Sequence, residues 1–359
     1  MLGRRKFLKY TGIAGAIVTL GGPLKVSPNP LGENQLLAAE APVTMTKVMD
    51  LPSVDKLIIT SLTDNYYDAL RKDEKVAYRF GIWNQDQFPP IICEMGLSYY
   101  VEAISGGEHR HLMCDFSYTS NALLHNVGLL GINPSKVEAL VLSHGHKDHW
   151  GGVYGLLDKH RMSMHQDLAI YVGEETFYPR WFVFEDGRKI YFDKLDEDKI
   201  KKYDIKITEV KEPTIVAGLA LSTGSIEQVT DFEKGSPILN IEKEKIVRDS
   251  FVGEQGLVFN VKDKGLVVIT SCAHRGVINT VKYAKKITGV DKVHAVVGGF
   301  HLSGAKPEVI GATLRSLKEI NPDYIIPMHC SGAEAVRTMA NEMPDKYIVT
   351  AVGSRYVFQ

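Results

Sequence analysis

The chain is poor in the features that mark several broad protein classes. It has four cysteines, Cys93, Cys114, Cys272 and Cys330, in 359 residues, and no two form a CxxC pair. That is too few for a disulfide-stapled scaffold. Neither sign of charge is in excess: 42 Lys+Arg stand against 43 Asp+Glu, a net −1. A dedicated nucleic-acid binder needs clustered positive charge, so none is expected here. There is no internal repeat and no low-complexity tract. What remains is a composition of 44% hydrophobic, 24% charged and 9% aromatic residues. A chain of this size and composition can bury a large core without covalent staples.

The near-neutral total averages two unlike regions. Residues 3–9 read Gly-Arg-Arg-Lys-Phe-Leu-Lys, followed by a weakly apolar run from Tyr10 to Leu20. That run is interrupted by glycines and is shorter than the roughly 20 residues a membrane span requires. A basic start, an apolar stretch and then small residues is the order of an export signal. Arg4 and Arg5, with Phe7, Leu8 and Lys9, resemble a twin-arginine signal, although Gly3 stands where Ser or Thr is usual. The expectation is a signal segment over 1–39, with Leu37-Ala38-Ala39 as a usable cleavage site, followed by a linker over 40–55. The twin-arginine machinery would then be a partner. The protein would be extracytoplasmic, or anchored to the membrane if the signal is retained. Without residues 1–39 the chain carries 37 basic against 42 acidic residues, a net −5.

From residue 56 onward, β-branched runs alternate with helical spacing. Strands are expected at 56–60, 138–142, 256–261, 266–270, 293–297 and 324–326, and helices at 153–160, 277–287 and 307–320. This predicts an α/β or mixed layered domain. The stretch 160–250 is less regular and reads as a divergent insertion. Its Tyr178-Pro179-Arg180-Trp181-Phe182 is either an aromatic wall for substrate or a core segment.

One motif carries the chemistry. Residues 143–152 read Ser-His-Gly-His-Lys-Asp-His-Trp-Gly-Gly, directly after a buried strand. His144, His146, Asp148 and His149 place four ligand-type side chains within six residues. Imidazoles and a carboxylate at that density suit Zn²⁺ or another first-row metal, with Mn and Fe open alternatives. Two ligand pairs in one loop suggest two metals and an activated water between them.

This HxHxDH loop resembles the hallmark of the metallo-β-lactamase superfamily. Glu94-Met95-Gly96-Leu97-Ser98, Cys114-Asp115-Phe116-Ser117, Ser271-Cys272-Ala273-His274-Arg275-Gly276, Gly298-Gly299-Phe300-His301-Leu302 and Pro327-Met328-His329-Cys330 follow in the order expected of it. Together they resemble the dihydropterin-ribofuranosyl-aminobenzene-phosphate synthase-like subgroup. The resemblance runs from about residue 56 to the C-terminus and is weakest over 160–250. It implies a four-layer αββα sandwich in which His144 and His146 bind a first metal, and Asp148 and His149 a second. His274 and His301, at the ends of successive strands, are expected as further ligands. His329 is open to three roles: ligand, substrate contact or proton carrier. Asp115 matches the position that supports a ligand histidine, but it could equally be an ordinary strand-end turn residue. The superfamily usually has a metal-bridging Asp where this chain has Cys272–His274, so the bridging ligand is open, with Glu254 and Cys272 as substitutes.

The expected function is a metal-dependent hydrolase acting on an ester, phosphoester or amide of a small molecule. Asp148 would orient the attacking water, and His301 or His329 would protonate the leaving group. The subgroup name implies a different reaction, carbon–nitrogen bond formation on a pterin. A flavin-linked diiron enzyme is disfavoured, because His146 stands where those relatives carry a carboxylate. Cys93 and Cys114 read as small core residues, and Cys272 and Cys330 as neighbours of the site.

Overall fold

The computed structural model describes residues 48–83 and 90–359. The expected signal segment, with Arg4 and Arg5, and residues 40–47 of the expected linker lie outside the described residues. The rest of that linker is packed on the domain. Leu51 and Val54 are buried, Ser53–Val54 pairs with Asn260 and Val261, and the Met49 N–H donates to Ile287 O at 2.7 Å.

Two large sheets lie face to face. One runs in the order Lys206–Val210, Ala169–Gly173, Ala139–Leu142, Glu108–Cys114, Ser98–Ser105, Lys56–Thr63, Arg355–Phe358, Ala77–Tyr78. The other runs Thr214–Val216, Ala220–Ser222, Leu257–Val261, Gly265–Ile269, Val293–Gly299, Tyr324–Met328, with Ser53–Val54 joined beside Leu257–Val261. Leu57, Ile59, Tyr99, Val101, Leu112 and Val141 from the first sheet meet Leu257, Phe259, Val267, Ile269, Val297 and Ile326 from the second in one buried cluster. Alternation along each strand sends the other side chains outward. There they pack under helices: Ser120–Leu129 and Val153–His160 on the first sheet, Val277–Thr288, Pro307–Ile320 and Ala333–Glu342 on the second. This is the αββα sandwich expected from the resemblance.

The helices follow from local signals. Pro307 opens its helix at a position that needs no N–H donor, and Asn321 closes it in the left-handed conformation at φ 55°. In Val277–Thr288 the residues Val277, Ile278, Val281, Ala284 and Ile287 form one buried face, and Gly289 at φ 68° ends the helix. Among the described residues, no helix is long and apolar enough to cross a membrane.

Two expectations change. The stretch 160–250 is not a single insertion: Ala169–Gly173 and Lys206–Val210 extend one main sheet, and Thr214–Val216 and Ala220–Ser222 extend the other. Only a small third sheet stands outside, in the order Ile246–Arg248, Leu239–Glu242, Arg180–Val183, Lys189–Tyr191. Cys93 is exposed rather than buried, because Ile91–Met95 is loop and not strand; Cys114 is a core residue as expected.

Phe259 is fully buried at the centre of the inter-sheet cluster. Phe259→Ala should therefore destabilise the protein by about 3–5 kcal/mol, read from the midpoint of denaturant unfolding. A loss below about 1 kcal/mol would mean that the interface between the sheets is not the main source of stability.

Candidate metal centre

Parallel strands of both sheets end at the same edge. There, Asp115 follows Glu108–Cys114, His144 follows Ala139–Leu142, and His274 follows Gly265–Ile269. His301 follows Val293–Gly299 and His329 follows Tyr324–Met328. Four of the turns carry a non-glycine residue in the left-handed region: Asp115 at φ 57°, Ala273 at 57°, His301 at 48° and His329 at 48°. Backbone strain of this kind concentrates at functional sites, where surrounding packing sustains it.

The hydrogen bonds settle where the imidazole protons lie. The Asp115 carboxylate accepts the Ser143 N–H at 2.8 Å and the Ser143 hydroxyl at 2.9 Å. Its Oδ2 is 2.6 Å from His149 Nδ1, so that nitrogen is the donor and His149 Nε2 is left bare. Ser143 Oγ, having given its own proton to Asp115, accepts from His144 Nδ1 at 2.9 Å, which leaves His144 Nε2 bare too. His144 Nε2 faces His274 Nε2 at 3.1 Å, and His149 Nε2 faces Cys272 Sγ at 3.1 Å. His329 Nε2 lies 3.2 Å from Asp148 Oδ2. Burial holds His144, His146 and His274 well below the ordinary histidine pKa, with their mutual proximity acting in the same direction. Neutral imidazoles with inward lone pairs are metal ligands in waiting.

The donors form two overlapping sets. Asp148, His149, Cys272 and His329 bring one atom each within 4.8 Å of one another, and so do His144, Cys272 and His274. Asp148 Oδ1 is buried without a hydrogen-bond partner, a cost that a cation nearby would relieve. The donor set therefore fits a pair of first-row metals. His146 closes on the second set through its ring, centred 4.7 Å from that of His144 and 4.8 Å from that of His274.

His329 joins the first set, while His301 belongs to neither. His301 groups instead with Cys272 and Cys330, and its Nδ1 is buried without a partner. Both histidines thus lie in groups that share Cys272: His329 with Asp148 and His149, His301 with Cys330. Glu254 is not among the donors. Both its oxygens are used by backbone, from His274 N at 2.8 Å and Arg275 N at 2.6 Å, so it holds the Cys272–Arg275 loop. Burial pushes its carboxyl up to about 7 against those hydrogen bonds.

The glycine in HxHxDH is required by space. A Cβ on Gly145 would lie 2.5 Å from Thr176 O and 3.1 Å from Arg180 Nη2. Asp64 has no counterpart in the sequence motifs. It is buried at the end of Lys56–Thr63, where it accepts the His329 N–H at 2.9 Å and the Thr350 hydroxyl at 2.8 Å. Its signal in the sequence was only a polar residue ending an apolar strand. Glu94 does similar work for the loop after Asp115, accepting the N–H groups of Tyr118 and Thr119 at 2.8 Å each.

A cavity of about 270 Å³ opens above the centre. Asp148, His146 and His329 line it together with the apolar Met95, Phe182 and Phe192. Of the expected aromatic segment, Phe182 faces the cavity, whereas Trp181 packs beside Tyr191 with its ring N–H on Glu242. A second cavity, of about 440 Å³, lies across His274 and His301, with Lys234 and Lys306 on its lining.

Residues 93–226 match the family model described as the metallo-beta-lactamase superfamily. A crystal structure titled as a metal-dependent hydrolase of the beta-lactamase superfamily aligns with a TM-score of 0.64 at 22% identity, covering 83% of this chain and 98% of its own. The chain is also 28% identical over 306 residues to 7,8-dihydropterin-6-methyl-4-(beta-D-ribofuranosyl)-aminobenzene-5'-phosphate synthase of Methanocaldococcus jannaschii, covering 84% of this chain and 96% of the relative. An uncharacterized protein of the same archaeon is 26% identical over 259 residues, covering 70% of this chain and 90% of its own. Proteins of this superfamily usually bind metal ions, in keeping with the donor sets.

Asp115→Asn replaces the acceptor that fixes His149. It should lower metal affinity about 10- to 100-fold, measured by competition against a coloured chelator. Unchanged affinity would show that the His149 ring needs no anchor.

Proposed function

We propose that the protein is a metal-dependent hydrolase of a small-molecule ester, phosphoester or amide, with two Zn²⁺ as its resident metals. The observation that carries this reading is the pair of donor sets, members of both of which line the 270 Å³ cavity. His144, His146 and His274 would hold one ion, and Asp148, His149 and His329 the other. Metals there supply Lewis-acid polarisation of the scissile group and activation of water. The protein's own groups do the rest. Met95, Phe182 and Phe192 exclude water and hold an apolar portion of the substrate. Asp148, which also lines the cavity, orients the attacking water.

His301 is the proton donor to the leaving group. It lines the cavity, and its Nδ1 is unengaged. Burial alone would lower its pKa, but the interactions with Cys330 and Glu254 outweigh burial and raise it. His301→Gln should then slow hydrolysis of alkyl esters about 10²- to 10⁴-fold. A nitrophenyl ester, whose leaving group needs no proton, should be little affected. Equal losses on both would remove His301 from this role.

A second reading is a synthase-like reaction on a pterin with a phosphorylated aminobenzene partner, favoured by the similarity to the M. jannaschii synthase over most of both chains. A panel of phosphoester, lactone and pterin substrates separates the two readings. Turnover of the pterin pair, with no hydrolysis of any ester, would replace the first reading by the second.

We also infer that residues 1–39 direct export through the twin-arginine route. Arg4→Lys with Arg5→Lys should leave the protein in the cytoplasm. Unchanged export would refute the signal.

A further inference from the structure

The one atom common to both donor sets is a sulfur. Cys272 Sγ groups with Asp148, His149 and His329 on one side and with His144 and His274 on the other. Its residue is 3% exposed, and the sulfur lies 3.1 Å from the bare Nε2 of His149. Among the described residues, no carboxylate is shared by both sets. Asp148 belongs to one set only, and Glu254 spends both oxygens on the backbone of the loop that carries Cys272. Ala273, left-handed at φ 57°, turns the chain between Cys272 and His274, so that both side chains reach the same centre. Cys330 lies beside it, its Sγ 3.4 Å from Cys272 O and grouped with Cys272 and His301, but it belongs to neither of the two sets that Cys272 joins.

We propose that the Cys272 thiolate bridges the two metals, taking the place that an aspartate usually has in the superfamily. This rests on the two-metal reading above and adds to it the identity of the shared ligand. A thiolate carries the same single negative charge as a carboxylate, so the charge balance of the centre is unchanged. The bond is longer and softer, which favours Zn²⁺ over Mn²⁺ and Mg²⁺ relative to an oxygen bridge. Binding the metals displaces the thiol proton to solvent.

The test uses the full chain loaded with two Co²⁺ and, separately, with two Zn²⁺. With cobalt, the wild type should show a sulfur-to-metal charge-transfer band. Cys272→Ser should abolish it and Cys330→Ser should keep it. With zinc, X-ray absorption should show a sulfur neighbour at about 2.3 Å, at about one per zinc for a bridge and about half that for a ligand to one metal only. Because Cys272→Ser can lose metal or fold poorly, Cys272→Asp serves as the rescue. It should bind two metals with an unchanged circular-dichroism spectrum and lack the band. Two bound metals without a sulfur neighbour, a band that survives in Cys272→Asp, or a half-occupied sulfur shell would each overturn the bridge and leave the two-metal reading standing. Failure of the wild type to bind metal at all would overturn both.

Discussion

The site depends on where a few protons are held. Asp115, buried at a strand end, takes hydrogen bonds from His149 and from Ser143, and Ser143 in turn fixes His144. Each Nδ1–H committed outward leaves an Nε2 lone pair directed inward. These two lone pairs, the Asp148 carboxylate and the Cys272 sulfur therefore converge on one small volume. Left alone, the cluster is electrostatically unfavourable; a cation relieves it. The sandwich supplies the force that keeps it together. Fully buried side chains from both sheets lock the strands, and the strand ends, including left-handed Asp115, Ala273, His301 and His329, have no freedom to move apart.

Much of this was legible in the sequence because it is local. The HxHxDH loop follows a buried strand within a few residues, the strands over 256–261 and 266–270 are short apolar runs, and the helices over 277–287 and 307–320 have regular apolar spacing and plain end signals. The strand-end positions of His274, His301 and His329 could be read in the same way. What could not be read depends on contacts between residues far apart in the chain. Asp64 is 265 positions from the His329 N–H it accepts, and Glu254 is 20 from the His274 N–H it holds. The respective places of His301 and His329 depend on how two parallel strands are offset, which spacing does not encode. The constraint on Gly145 is likewise distant: the nearness of Thr176 O and the Arg180 side chain, which the motif itself does not show. The stretch 160–250 lacked regular patterning because its strands are short and divided among three sheets.

That division has a functional consequence. The metal-binding edge is built by the main sheets, while the apolar lining of the cavity comes from elsewhere: Phe182 and Leu239 from the small third sheet, Phe192 from the segment just after it, and Met95 from the loop before Ser98. Reactivity and recognition thus reside on different parts of the chain. Arg180 links the two: its Nε is paired with Asp249 at 2.7 Å, its Nη2 donates to Glu175 O at 2.8 Å, and it lies against the Gly145 backbone. The third sheet is thus coupled to the ligand loop through Arg180, while Asp115, Ser143, Glu254 and Asp64 hold the ligand-bearing turns by hydrogen bonds.

The central claim is that two metal ions sit at the converging strand ends. Anomalous diffraction at the zinc edge from crystals of the zinc-loaded protein tests it most directly. The account predicts two peaks, one among His144, His146 and His274 and one among Asp148, His149 and His329, with Cys272 between them. A single peak, or zinc found only elsewhere on the molecule, would contradict it.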